Sequence, residues 1–156
     1  PYLSRGLGDV YKRQHHVIDG GQLYYYRQHT VAAPECEDDL TFAMDELVSV
    51  TDADHDGIGE VTFGFEIGCM TDVSARSIQL HLWEDGAAHQ LWGETVWWNM
   101  DNTGTVTVPQ LSGSLADSPA LSAHLMARFD DTIRSERAIY GDEPVVLNFL
   151  KVPAQH

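Results

Sequence analysis

Residues 52–67 read Asp52-Ala53-Asp54-His55-Asp56-Gly57-Ile58-Gly59-Glu60-Val61-Thr62-Phe63-Gly64-Phe65-Glu66-Ile67. The first nine of these place carboxylates at positions one, three, five and nine, with glycine at six. Hard Ca²⁺ takes six to eight oxygens at about 2.3–2.6 Å, and alternate acids on a sharply turning backbone can converge on one such centre. Gly57 permits the bend. The spacing therefore assigns Asp52, Asp54, Asp56 and Glu60 as side-chain ligands of a calcium ion, with the backbone carbonyl of Ile58 at loop position seven. Without a cation, four crowded acids form a solvated, self-repelling turn.

The residues after the loop decide the fold. A helix–loop–helix calcium site needs a bidentate glutamate at position twelve, and that position holds Phe63. From Val61 to Ile67 apolar and other side chains alternate with period two, the pattern of a half-buried strand. The loop thus opens a strand, and its expected role is to clamp a sheet.

Strand signals extend in both directions. Upstream, Gln22 to Thr30 is tyrosine-rich, and Leu40, Phe42 and Met44 alternate with Thr41 and Ala43. Asp45-Glu46 is expected to break that second strand, with Leu47 to Thr51 leading into the loop. Downstream, Ile78, Leu80 and Leu82 alternate, Asp85-Gly86 is a favoured two-residue hairpin turn, and His89 to Trp98 returns. Thr103 to Val108 offers a short strand, and Pro144 to Leu150 an edge strand or an ordered tail.

Between these the period changes. Ser118 can cap a helix, Pro119 suits the first helical position, and Leu121, Leu125, Phe129 and Ile133 recur every fourth residue. The helix is expected to cover one face of the sheet, with Leu115 and Met126 adding contact and Arg134 and Arg137 in its last turn near the negative dipole end. These elements predict an α+β domain: an antiparallel meander with a C-terminal amphipathic helix packed on one face.

Length and composition set bounds. A chain of 156 residues with 43% apolar content fits one domain with a substantial core. A formal charge of −15 argues against nucleic acid and against an anionic membrane surface, both of which need a basic footprint. No apolar run approaches the ~20 residues that span a bilayer as a helix. Residues 1–14, Pro-Tyr-Leu-Ser-Arg-Gly-Leu-Gly-Asp-Val-Tyr-Lys-Arg-Gln, resemble translated sequencing-adaptor read-through from environmental DNA and are expected to lie outside the native fold, residues 15–156 forming the domain. The native start, with any secretory signal, would then be missing. Removing three basic residues and one acidic residue leaves 9 − 3 = 6 basic and 24 − 1 = 23 acidic residues. A balance this acidic, with Lys151 as its single lysine, suits a salty or calcium-rich external medium.

Cys36 and Cys69 allow one disulfide, as in an oxidising compartment, or two buried thiols. A simple hairpin about the loop would set Cys69 opposite residues near Ala43, about 20 Å along the strand from Cys36 at ~3.3 Å per residue, so a bridge requires a different pairing.

Two further groups carry chemistry. Pairing across Asp85-Gly86 sets His81 against Gln90 and His89 against Leu82, placing the two histidines on opposite faces and arguing against a chelate. The same register puts Gln79, His81, Trp83 and Trp92 on one face, an aromatic patch suited to stacking on sugar rings or a protein partner, or else to core packing. The signatures of phosphate loops, nucleophile elbows and zinc proteases are absent. Glu66, Asp72, Glu84 and Glu94 are nonetheless carboxyls of the kind a glycosidase pairs.

The run from Thr51 to Phe63, followed by Cys69 and Asp72-Val73-Ser74 and continuing through Leu80, Glu84, Gly86, Leu91 and Gly93, resembles a family of small bacterial envelope proteins associated with surface polysaccharide biosynthesis. Its calcium core is shared with integrin-type and dockerin-type loops. The likeness covers about residues 36–95 and departs at Ala75, where the family pattern has proline, and at Trp92, where it has a basic residue. It implies a periplasmic, cell-envelope or secreted protein linked to surface glycans. Together these readings lead to a calcium-stabilised, non-enzymatic binding or assembly component. The alternatives are a glycan-processing enzyme with paired carboxylates and a purely structural partner of another envelope protein.

Overall fold

The computed structural model describes residues 11–31, 39–69, 75–98, 104–140 and 145–147. Its core is a five-stranded antiparallel meander: β3 (Asp39–Thr51), β4 (Glu60–Cys69), β5 (Ser77–Glu84), β6 (Ala87–Glu94) and β9 (Gln110–Leu111), in that order. One α-helix, α1 (Pro119–Tyr140), covers one face of this sheet, and a separate hairpin of β1 (Tyr11–Asp19) and β2 (Gln22–Val31) covers part of the other. A small third sheet joins β7 (Trp97–Trp98), β8 (Gly104–Val106) and β10 (Val145–Leu147). The expected α+β architecture is present.

The central hairpin follows from its turn. Asp85 and Gly86 both have positive φ, +35° and +81°, which matches the right-handed twist of the flanking strands. The resulting register pairs His81 with Gln90 and Leu82 with His89, as the turn implied. One face then presents Ile78, Leu80, Leu82 and Leu91, and the helix lays Leu121, Leu125, Phe129 and Ile133 on them in a single buried cluster. Gly93 is required by this contact, because a Cβ there would lie 2.3 Å from the Phe129 ring. A short 3₁₀ turn, Gly113–Leu115, feeds the helix and buries Leu115 in the same cluster. The Ser118 carbonyl accepts the Ser122 N–H at 3.0 Å, the first helical hydrogen bond.

The opposite face carries Phe63, Phe65 and Trp83, a second buried cluster flanked by Val61 and Ile67. Here β1 and β2 dock, joined at Gly20 and Gly21, whose φ of +55° and +78° again favour glycine. Arg27 fastens the hairpin by donating to the carbonyls of Ala87 at 2.8 Å and Gly86 at 2.6 Å while its guanidinium lies over Trp83. Strand β1 begins at Tyr11, so Tyr11 to Gln14 of the adaptor-like segment pair with Val31 to Gln28.

Three features differ from the sequence expectations. Strand β3 does not end at Asp45-Glu46: the partners Met44↔Gly64 and Ser49↔Thr62 leave 45–48 facing only 63, a bulge that absorbs the polar pair. Leu47 within it is buried in the main core, and Arg128 of the helix donates to its carbonyl at 3.3 Å. The bulge also shifts the register, so Cys69 stands opposite Asp39 and not near Ala43. Cys36 and the disulfide question lie outside the described residues. Secondly, Arg134 is not in the last turn; the helix continues to Tyr140, and Arg134 instead pairs with Asp130 one turn earlier at 2.6 Å. Thirdly, the 145–147 segment is an edge strand, one of the two expected forms, but it departs from the expected antiparallel pattern by running parallel to β8.

Candidate metal centre

The acidic loop closes the β3–β4 connection. Thr51, the last residue of β3, pairs with Glu60, the first of β4, so both ends of the loop are held by the sheet. Gly57 at φ +91° and His55 at φ +65° turn the chain left-handed at two points, coiling the backbone so that alternate side chains face inward. Backbone amides then fix the acids. Asp52 Oδ2 accepts from Gly57 at 3.2 Å, Asp54 Oδ1 from Asp56 at 3.3 Å and Asp56 Oδ1 from Ile58 at 2.7 Å. Glu60 Oε2 accepts from the Ala53 amide at 2.6 Å and from the Thr51 hydroxyl at 3.4 Å.

Carboxylate oxygens from Asp52, Asp54, Asp56 and Glu60 all lie within 4.8 Å of one another. An ion about 2.4 Å from each donor separates opposed donors by at most about twice that distance, so the four fit around one centre. These acids form a group that can hold a metal ion. Glu60 is fully buried, and its Oε1 has no hydrogen-bond partner among the described residues. A buried carboxylate oxygen is costly, and a cation, or a proton shared with the neighbouring Glu84 carboxyl, removes the cost.

The site leans on the core. Ala53 packs against the main hydrophobic cluster, and Thr62, on the same face of β4 as Glu60, is hydrogen-bonded to His124 Nε2 of the helix at 3.1 Å. Burial and the nearby Arg128 hold His124 below its ordinary pKa, with Glu60 acting in the opposite direction. One acid beyond the loop lies beside the group. Glu84, at the end of β5, has a buried Oε1, and burial, followed by the charges of Asp54, Asp56 and Glu60 and a side-chain hydrogen bond with Glu60, pushes its carboxyl up. Sequence spacing gave no sign of this, because the approach arises from pairing between two strands; the available signal was the position of Glu84 at a strand end beside the loop.

The second group is brought onto one face but divided by burial. Gln79 pairs with Trp92, His81 with Gln90 and Trp83 with Ala88. His81 and Trp83 are 2% and 5% exposed. His81 stacks on Phe63 with centroids 5.0 Å apart, meets the His29 ring at 4.0 Å and accepts from the Gln90 amide through Nδ1 at 3.0 Å. Trp83 packs edge-on to Phe63 and lies near His15 of the covering hairpin. These two residues belong to the core. Trp92 is 38% exposed and borders a shallow groove of about 400 Å³ that Glu94, Thr107 and Gln110 also line. The Thr107 hydroxyl donates to Glu94 at 3.2 Å. Among the other glycosidase-type carboxyls, Glu66 is ion-paired with Arg76, and Asp72 lies outside the described residues.

Fold and site together define an α+β domain bearing an acidic loop able to bind a metal ion. No protein family, curated protein or solved structure matches the chain. Among the described residues, no helix is long and apolar enough to cross a membrane.

Proposed function

We propose that the protein is a calcium-stabilised component of the bacterial envelope or of a secreted assembly, binding surface polysaccharide or a partner that carries it, without catalysis. The observation that carries the metal half of this reading is the meeting of four carboxylates, one of them the fully buried Glu60. Calcium is the ion this donor set suits best: all donors are hard oxygens, with no histidine or thiolate among the clustered side chains to favour zinc or copper. The Ile58 carbonyl is the fifth oxygen. Both strands meeting at the loop belong to the central sheet, so the ion acts as a staple for β3 and β4. The envelope assignment rests on the family resemblance and on the acidic composition.

The glycan half is supported by Trp92, an exposed indole at the rim of a groove with polar neighbours, the combination that stacks on a sugar ring and hydrogen-bonds its hydroxyls. Gln79 stands beside it in the register, while His81 and Trp83 lie buried on the same face.

Two measurements test this. Equilibrium dialysis against calcium is expected to retain one ion per chain, and Asp54→Ala with Asp56→Ala to retain none; a wild-type protein that takes up no calcium ends the metal reading. Addition of acidic or neutral bacterial surface polysaccharide is expected to quench tryptophan fluorescence in the wild type and not in Trp92→Ala. Equal quenching of both proteins would move any glycan site away from this groove. The absence of quenching in both, with no turnover, favours the purely structural role.

A further inference from the structure

We propose that Glu84 is a fifth carboxylate of the cation site, reaching the ion from the neighbouring strand and not from the loop. This inference rests on the metal reading above and extends it.

The first support is the donor count. Four carboxylates binding through one oxygen each, together with the Ile58 carbonyl, supply five oxygens, whereas calcium takes six to eight. A twelve-residue loop would make up the difference with a bidentate glutamate at its last position. Here that position is Phe63, a buried member of the aromatic cluster on the opposite face of the sheet. The remaining positions are filled by second oxygens of the same carboxylates, by water, or by a group outside the loop.

Strand pairing supplies the missing group. Val61 pairs with Trp83 in the β4–β5 register, so the next step along both strands sets Glu84 beside Glu60. Alternation places both residues on the helix-facing side: Glu84 follows Leu80 and Leu82, and Glu60 precedes Thr62, which bonds His124 of the helix. The result is two neighbouring carboxyls, each with a buried oxygen that no N–H or other O–H of the described residues reaches, and joined to each other by a side-chain hydrogen bond. A proton shared between the two carboxyls holds them together when no metal is bound, and a cation at the mouth of the loop can take its place. Glu84 is not among the four acids whose oxygens lie within 4.8 Å of one another, so ligation requires rotation about its side-chain torsions.

The experiment compares wild type, Glu84→Gln and Glu84→Asp by calcium titration and by terbium luminescence lifetimes in H₂O and D₂O, which count the water molecules on the ion. Glu84→Gln is expected to weaken calcium binding by about tenfold or more and to add roughly one inner-sphere water, since the carboxylate it loses leaves a coordination position open. Glu84→Asp, which retains the charge but is too short to reach, should gain the same water with a smaller loss of affinity. Unchanged affinity and hydration in Glu84→Gln would overturn the proposal. So would weaker binding with an unchanged water count, because Glu84 would then act through its charge at a distance. A wild type that binds neither ion would instead sink the metal reading beneath it.

Discussion

Calcium added to the metal-free protein is expected to raise its melting temperature by roughly 5–11 °C. An ion that binds only the folded chain stabilises it by mass action, about 2.7 kcal/mol when present at a hundred times its dissociation constant. For a domain of this size each kcal/mol moves the midpoint by about 2–4 °C. The sign follows from the site: with no cation, the loop holds four carboxylates within 4.8 Å of one another, one of them fully buried, and each repels the rest. The double variant Asp54→Ala with Asp56→Ala should lose the calcium response entirely. In chelator it should melt no lower than the wild type, because it has shed repulsion as well as ligands. Magnesium should give a smaller shift, since it demands a tight octahedron at about 2.0–2.1 Å and gives up its waters reluctantly. Calorimetric scans in chelator, calcium and magnesium check all three outcomes; superimposable wild-type curves in chelator and calcium would refute the stapling role.

The loop and its consequence for the fold were legible because both are local. A carboxylate at every second position, glycine at the sixth and a period-two pattern immediately afterwards are properties of consecutive residues, and the structure keeps them together at one strand junction. The Asp85-Gly86 hairpin was equally local, so its register could be counted from the turn. What escaped was set by pairing between distant segments. Asp45-Glu46 reads as a strand breaker, yet the sheet accommodates it as a bulge because β4 passes on both sides of the irregularity. The tyrosine-rich strand was visible, but not its partner, since β1 draws residues from a segment that reads as foreign. For the same reason the sequence favoured core for Trp83 and His81 but could not name what covers them. The layer that covers them, fastened by Arg27 to the Gly86 and Ala87 carbonyls, comes from about sixty positions earlier in the chain.

That covering layer makes stability depend on pH. His81 sits between the Phe63 ring and His29, and its pKa is lowered to about 3, chiefly by burial and further by the charge of His29. His29 and His15, on the hairpin that covers it, are also lowered, in each case mainly by burial. A histidine whose folded pKa lies below its unfolded value of about 6.5 binds protons more readily in the unfolded chain, so stability falls as pH drops below about 6.5 and the loss levels off only near the folded pKa. For His81 this is about 2–3 kcal/mol between pH 6.5 and 4.5 at roughly 1.36 kcal/mol per pH unit. Glu84 works against the trend, since a raised carboxyl pKa stabilises the fold on acidification. Denaturant unfolding in chelator at pH 7.5, 6.5, 5.5 and 4.5, with His81→Phe alongside the wild type, separates these contributions. Phenylalanine keeps the stack on Phe63 and cannot be protonated, so the variant should hold its stability down to pH 4.5 better than the wild type by most of that difference. Parallel curves for the two proteins would show that the buried imidazole is not the group that penalises acid.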